Sequence, residues 1–445
     1  LYDAKILSQG KIPAGDIITK APVPALLFAT SVFLTHNSLN ANRAVSFLAN
    51  ILTAFPLLFI ANYLSGKRAL IVTILLWLLT TPISMQMLGT TESIAVFFAT
   101  AALASILKKK YMLFGILLAL AFASRKTGIA ILMPAIYLLT LSPRSSRTQA
   151  ITRIIFGSFC VLAPLLYVSH TLYGADGMQE LLGTGYAHII TTSTSAAILH
   201  QDIFSIFAVL TRISSGLLFI LAISFLWLIK DTKKNISLLA IPLFWILGLL
   251  ALYATWPTFL PEYATDFLPA IVLVCALTLS NILVKITIQN IGIVLLFAIL
   301  TCTSLWSSYM HPWTGMFTRK AIYETAHQLQ QYVPSNSPIF TAAVIIPYVS
   351  GHSVFKNISH PLWYAYPFIP EQKKNLYLPP RALVETAVIT GTVHFALIEQ
   401  LTDYAYLRSS SRLISLFGTT WQLRNTVQNI TGFRSNTLKL FEYNR

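Results

Sequence analysis

Long apolar runs alternate with short polar turns through the first two thirds of the chain. A run of about 17 to 25 apolar residues is long enough to cross a bilayer as a helix. Residues 311–445 contain no such run. The pattern therefore predicts a polytopic α-helical membrane domain followed by a soluble domain. The candidate spans lie at 43–64, 69–88, 91–107, 111–141, 151–173, 208–229, 238–258, 265–284 and 290–310.

The C-terminal part has the patterns of a small α/β domain. Apolar residues at helical spacing predict a helix at Arg319–Tyr332. Short β-branched and aromatic segments predict strands at Pro338–Pro347, Val393–Ile398, Thr420–Val427 and Thr437–Tyr443. Helix and strands together indicate an α/β layer.

Three domains are predicted. Residues 1–42 form a first extracytoplasmic loop with juxtamembrane helices, residues 43–310 the transmembrane domain, and residues 311–445 an extracytoplasmic α/β domain. The apolar segment Ala21–His36 is short for a span and begins with Pro22 and Pro24, which favours a juxtamembrane or re-entrant helix.

Composition supports a membrane protein. The chain has 445 residues, of which 55% are hydrophobic and 10% charged, whereas roughly 25% are charged in ordinary soluble domains. A soluble enzyme, a disordered protein and a disulfide scaffold are excluded. The formal charge of +16 does not indicate a nucleic-acid partner, because the basic residues lie in short clusters between apolar runs.

These basic clusters predict the orientation, because Lys and Arg flanking a span stay on the cytoplasmic side. The segment Tyr111–Leu141 is too long for one span, and a single crossing would place basic clusters on opposite sides. We therefore expect a hairpin with its tip at Ser124–Gly128 and about ten crossings in all. The protein would lie in the cytoplasmic (inner) membrane with Leu1 and the C-terminal domain outside. The clusters are Lys67–Arg68, Lys108–Lys110, Arg144 with Arg147 and Arg153, Lys230 with Lys233 and Lys234, and Lys285.

Arg125 and Lys126 at the hairpin tip are the main candidates for chemistry. Each cation within the hydrocarbon costs about 2.5 to 3.5 kcal/mol on insertion scales, so an anion must compensate. One interpretation is an internal ion pair with Glu92 or Asp266. The other is a phosphate at the level of the lipid headgroups.

Other candidates face the same predicted side. Glu92 begins a span, where it either caps the helix, or orients an acceptor or acts as a base. Asp16 and Lys20 lie in the first loop, where their spacing alone is not specific. His188 and His200 lie in a long loop, 173–207, of the kind that often covers a site.

In their order along the chain, several motifs resemble the GT-C glycosyltransferases, in particular the protein mannosyltransferase and aminoarabinose transferase group. The resemblance covers about residues 1–145 well and Phe267–Pro269 weakly. It rests on Tyr2, Ala4, Lys5, Gly10, Pro13, Asp16 and Pro22, on Arg43, on Thr91–Glu92, and on Gly115, Ser124–Gly128 and Pro134.

The resemblance implies transfer of a sugar, with inversion, from a polyprenyl phosphate to a hydroxyl of a protein, lipid or glycan acceptor. It implies catalytic roles for Asp16 and Glu92, and binding of the lipid phosphate by Arg125 and Lys126. Lys20 and His188 are further candidates for substrate binding. The principal catalytic acid of the family is expected before Leu1, after one further span. The lipid-linked donor is the expected cosubstrate, and a divalent metal stays open. Asp266 departs from the family, whose members commonly carry a basic residue there.

Two other functional classes remain open on the sequence. A transporter or lipid flippase also needs charges within the membrane, but no internal repeat is visible. A polymerase or ligase of surface glycans would share the lipid-linked donor.

Overall fold

The structure is a computed structural model that describes residues 7–8, 21–35, 38–85, 91–182, 210, 215–224, 232–254, 261–282, 288–310, 319–335, 337–341, 345–357, 381–399, 420–428 and 437–444. The chain divides into two compact units. The first, here the helical unit, contains Asn42–Pro312, and the second, the mixed unit, contains Ala25–Ala41 and Trp313–Arg445.

Apolar helices make up the described chain before residue 311. Two 3-10 helices interrupt the series, at Lys126–Ile131 and Pro261–Phe267. The α-helices are α1 Pro22–Thr35, α2 Ser38–Met85, α3 Glu92–Leu107, α4 Tyr111–Ser124, α5 Leu132–Thr140, α6 Arg144–Leu182, α7 Ser215–Ser224, α8 Thr232–Ala254, α9 Leu268–Ile282 and α10 Ile288–Met310.

Two glycines break long helices. Gly66 has a φ of 77° inside α2 and directly precedes Lys67, where the sequence predicts a turn between two spans. Gly174 has a φ of 68° inside α6. Such positive φ values are readily adopted by glycine. The prediction that a loop begins at residue 173 is wrong, because helix α6 resumes after Gly174 and continues to Leu182.

The helix break predicted at Ser124–Gly128 is present. Helix α4 ends at Ser124, and Arg125 has an extended backbone with φ −164° and ψ 136°. Gly128 then passes so close to α4 that a Cβ there would lie 2.6 Å from the carbonyl carbon of Ala121. The turn requires the absence of a side chain at this position.

Helices α4 and α6 cross at two glycines. A Cβ on Gly115 would lie 2.1 Å from the carbonyl oxygen of Ile154, and one on Gly157 would lie 2.2 Å from that of Met112. The Ser158 hydroxyl donates to the Gly115 carbonyl at 3.0 Å. Small residues and a hydroxyl bond are typical of helix contacts within membranes, where backbones approach closely.

Three helical segments of the described chain are long and apolar enough to cross a membrane: Asn40–Thr80, Arg144–Leu172 and Tyr263–Ile282. Shorter apolar helices of 10–17 residues accompany them. The helical architecture is as predicted, while the expected number of crossings, about ten, stays a prediction.

The mixed unit holds a four-stranded sheet in the order β1-β2-β4-β3. Strand β1 is parallel to β2, and the other two pairs are antiparallel. The predicted helix at Arg319–Tyr332 is confirmed, as are the last three predicted strands within two residues. The elements are α11 Arg319–Tyr332, β1 Ile339–Thr341, α12 Ile345–Ser350, a 3-10 turn Phe355–Asn357, α13 Arg381–Ile389, β2 Phe395–Glu399, β3 Trp421–Gln428 and β4 Thr437–Tyr443.

The strand predicted at Pro338–Pro347 is wrong in its second half. The strand ends at Thr341, and Ile345–Ser350 is helical. Pro347 lies in the first turn of this helix, where backbone N–H groups have no intrahelical partner and proline is tolerated.

The two faces of strand β2 bury different residues. Ala396 and Ile398 pack in one apolar cluster with Val388 of α13, and Phe395 and Leu397 pack in another with residues of α11. Successive side chains of a strand point to opposite faces, so the sheet is covered on both sides.

Candidate functional site

Arg125 lies at the break between α4 and the first 3-10 helix, and its side chain enters the interior of the helical unit. Each of its three guanidinium nitrogens has a side-chain partner. Nη1 pairs with the Glu92 carboxylate, Nη2 donates to the Tyr253 hydroxyl at 3.2 Å, and Nε donates to Thr127 Oγ1 at 3.1 Å. The guanidinium also stacks over the Tyr263 ring, 4.3 Å from its centroid. Such planar, forked donation is a property of arginine that lysine lacks.

Asp266 is the second anion bound to Arg125. Its Oδ2 lies 3.2 Å from Arg125 Nε and accepts hydrogen bonds from Thr127 Oγ1 at 2.7 Å and from the Tyr253 hydroxyl at 2.6 Å. One carboxylate oxygen therefore joins the first 3-10 helix, α8 and the second 3-10 helix. We call Arg125, Glu92, Thr127, Tyr253 and Asp266 the Arg125 cluster.

The cluster is buried and its formal charges do not balance. The Arg125 side chain is 11% exposed, and those of Glu92 and Asp266 are 5% and 4% exposed. Two carboxylates and one guanidinium leave one negative charge in excess. Within the described part of the chain, Glu92 Oε2 and Asp266 Oδ1 have no hydrogen-bond partner. Buried charges of this kind contribute to stability only while they stay paired.

Lys126 takes a different direction from its neighbour. Its Nζ donates to the carbonyl of Leu181, near the end of α6, and lies 4.6 Å from the centroid of the Phe122 ring. The extended backbone at Arg125 separates the two side chains, since α4 ends there and a 3-10 helix begins. An anion that binds Lys126 must share its ammonium with this carbonyl.

Of the two interpretations of the hairpin cations, the structure shows the internal ion pair for Arg125, with Glu92 and Asp266 both as partners. Glu92 is the first residue of α3, and the preceding Thr91 makes no side-chain cap bond. Asp16, Lys20, His188 and His200 lie outside the described residues. Among the described candidates, Glu92 contacts Arg125, and Lys126 contacts the Leu181 carbonyl and the Phe122 ring.

Sequence reasoning missed two members of the cluster. Tyr253 lies in an apolar span, and nothing in its surroundings distinguishes it from a packed aromatic residue. Thr127 lies within Ser124–Gly128, but Asp266, the residue to which its hydroxyl donates, is 139 positions away. The signal that could have pointed to them is general: a buried carboxylate needs several hydrogen-bond donors around it.

A narrow recess with room for about one water molecule adjoins the cluster. Its polar lining comes from Thr127 and Asp266. The rest of its wall is apolar, and the recess is too small to hold a sugar or a phosphate. The apolar wall is formed by Ala95, Val96, Ala99, Gly128, Trp245 and Leu249.

The described residues contain no group of three or more His, Cys, Asp or Glu side chains that could hold a metal ion. The possible metal of the sequence analysis therefore has no ligand set in this part of the chain.

No family model and no curated protein matches the sequence. Solved structures do match in fold. ArnT from Cupriavidus metallidurans, in a crystal structure bound to undecaprenyl phosphate, is 12% identical with a TM-score of 0.64, and the match covers 99% of this chain and 91% of that one. The archaeal oligosaccharyltransferase AglB from Archaeoglobus fulgidus, in complex with an inhibitory peptide and a dolichol-phosphate, is also 12% identical, with a TM-score of 0.54 over 91% of this chain and 66% of that one. The likeness shows the fold, and it confirms the GT-C-like fold that the motifs predicted.

Proposed function

We propose that the protein is an integral membrane glycosyltransferase that moves a sugar from a polyprenyl phosphate to an acceptor hydroxyl on the extracytoplasmic side. The observation that carries the proposal is Lys126, a cation that begins the 3-10 helix at a helix break beside the Arg125 cluster, on a fold shared with ArnT and AglB. Those two proteins were solved with undecaprenyl phosphate and with dolichol-phosphate.

The proposed donor explains why the chemistry takes place in a membrane. The phosphate of a polyprenyl donor lies at the headgroup level, and its tail stays in the hydrocarbon. A cation at a helix break can meet that phosphate without leaving the bilayer. An ammonium acts there as a compact point charge with three donors, a form of phosphate binding common for lysine.

The proposed reaction is a single displacement with inversion. The acceptor oxygen attacks the anomeric carbon, the bond from that carbon to the phosphate oxygen breaks, and the polyprenyl phosphate leaves. A carboxylate takes the proton of the acceptor hydroxyl. Lys126 stabilises the charge that develops on the phosphate, an electrostatic contribution that is usually the largest in such reactions.

Asp16 and Glu92 are the proposed carboxylates. Asp16 belongs to the first loop, where it would reach an acceptor arriving from the aqueous side. Glu92 binds Arg125 through Oε1, and its Oε2 has no hydrogen-bond partner among the described residues. Lys20 and His188 are proposed to contact the donor or the acceptor.

The test is a transfer assay with purified protein, a panel of polyprenyl-phosphate sugars and candidate acceptors. Release of polyprenyl phosphate together with a glycosylated product is the expected result. The Lys126→Ala variant should lose both signals, and Lys108→Ala, which removes another lysine that lies over an aromatic ring, should keep them. If the protein moves an intact lipid-linked sugar across liposome membranes without cleaving it, the proposal fails.

A further inference from the structure

Arg125 and Lys126 are adjacent in the sequence but differ in their surroundings. Arg125 is directed into the cluster, where its three nitrogen positions bind Glu92, Tyr253 and Thr127. Lys126 meets a backbone carbonyl and an aromatic ring. Two neighbouring cations with such different partners cannot bind a single phosphate in the same way.

Arg125 is poorly suited to bind a substrate anion. A phosphate could take the guanidinium only by displacing Glu92 or Asp266, each of which is about 95% buried. Either displaced carboxylate would then stay inside the protein without a cation, which is a strongly unfavourable state.

The cluster joins four separate elements at the helix break. Arg125 binds Glu92 at the start of α3, Tyr253 near the end of α8 and Asp266 in the second 3-10 helix. Thr127, one residue beyond Lys126, donates to the same Asp266 oxygen at 2.7 Å. The backbone of Lys126 is therefore held on both sides, at residues 125 and 127, by side chains bound to one buried carboxylate.

We infer that Arg125 is a positioning residue, which with Asp266 and Tyr253 fixes the backbone of Lys126 so that its ammonium is presented to the phosphate of a polyprenyl ligand. The inference rests on the proposed function and divides the work of the two cations. Arg125 organises the turn without touching the ligand, and Lys126 makes the contact.

The test compares the binding of undecaprenyl phosphate with that of undecaprenol to the purified full chain. The alcohol has the same tail and no phosphate, so the ratio of the two affinities isolates the contribution of the charge contact. A variant that only loosens the fold should weaken both ligands alike and leave this ratio unchanged.

Three variants and one control decide the outcome. Lys126→Ala gives the reference value, which is the ratio of the two affinities when the ammonium is absent. Tyr253→Phe removes two hydrogen bonds, to Arg125 and to Asp266, but leaves every charge. It should lower the ratio by up to about tenfold, because it loosens the turn without removing the contact between the ammonium and the phosphate. Arg125→Lys keeps a positive charge without the forked geometry, and its ratio should approach that of Lys126→Ala. The control is Ser224→Ala, which removes a buried hydroxyl pair with Thr278 at 2.7 Å in the same unit.

Each result is decisive. If Arg125 binds the phosphate itself, Arg125→Lys should keep most of the preference for phosphate, and the inference is overturned. An unchanged ratio in Tyr253→Phe also overturns it, and this variant serves where Arg125→Lys does not fold. If the wild-type protein binds both ligands equally, the proposed function fails together with the inference. If the preference for undecaprenyl phosphate is lost in Lys126→Ala but kept in the Arg125 and Tyr253 variants, the positioning role is refuted and the proposed function stands.

Discussion

Thr127 and Asp266 are 139 positions apart in the chain, and the threonine hydroxyl donates to the aspartate at 2.7 Å. The same Asp266 oxygen accepts a bond from Tyr253 at 2.6 Å and pairs with Arg125 at 3.2 Å. A single buried carboxylate oxygen thus fixes the turn that carries Lys126.

Lys126→Ala should abolish most transfer while leaving the fold intact. Loss of one group that stabilises an oxyanion costs about 2.7 to 4 kcal/mol in comparable sites, or roughly a hundred- to a thousandfold in kcat. Steady-state transfer and thermal unfolding of the purified protein measure the two effects. Lys108→Ala is the control, since Lys108 lies 4.2 Å from the centroid of the Phe59 ring. Wild-type turnover in the folded variant would remove Lys126 from the site.

Asp16→Asn should lower kcat by about a hundredfold or more, the usual contribution of a general base, with little change in KM for the donor. The amide keeps the size of the side chain but cannot take the proton. Asp3→Asn in the same loop is the matched control. If Asp16→Asn turns over normally and Glu92→Gln does not, the role of base passes to Glu92.

Arg125→Ala should destabilise the protein by about 3 to 5 kcal/mol, because it leaves Glu92 and Asp266 buried without their cation. Glu92→Gln should cost much less, since Arg125 would keep Asp266 as a partner and the excess negative charge would disappear. Thermal or denaturant unfolding in detergent gives the comparison. Equal unfolding midpoints for wild type and Arg125→Ala would contradict the paired, buried cluster.

Gly115→Ala should destabilise the helical unit by about 1 to 3 kcal/mol, the usual cost of overpacking. The added Cβ would lie 2.1 Å from a backbone oxygen of Ile154, which cannot move as a side chain can. Gly292→Ala in α10 is the control, because a Cβ there meets nothing within 4 Å. This control should be neutral or slightly stabilising, as alanine is the better helix former. Equal melting of the two variants would exclude the close crossing of α4 and α6.

The C-terminal domain should lie outside the cytoplasmic membrane. In a cysteine-free background, Gln331→Cys on the exposed side of α11 should react with a membrane-impermeant maleimide in intact cells. Lys110→Cys, in a predicted cytoplasmic turn, should react only after the cells are opened. The opposite pattern would invert the predicted topology.

The sequence by itself determined the parts that depend on local chemistry. Apolar runs predicted the helices, and short β-branched and aromatic segments predicted strands such as Thr437–Tyr443, which the structure has with the same bounds. The break at Ser124–Gly128 could also be predicted, because the run is too long for one span and a single crossing would place the flanking basic clusters on opposite sides of the membrane. Membrane insertion and backbone hydrogen bonding impose these features on any chain with this pattern.

Tertiary structure alone decided which partners the charges have. The sequence offered Glu92 or Asp266 as an ion-pair partner for Arg125, and the fold supplies both, together with a Tyr253 hydroxyl from an apolar span. The fold also directs Arg125 and Lys126 to different partners, whereas the sequence suggested that the two cations act together. The physical reason is that a buried charge takes its partners from whichever elements pack beside it, and sequence distance has no bearing on that packing.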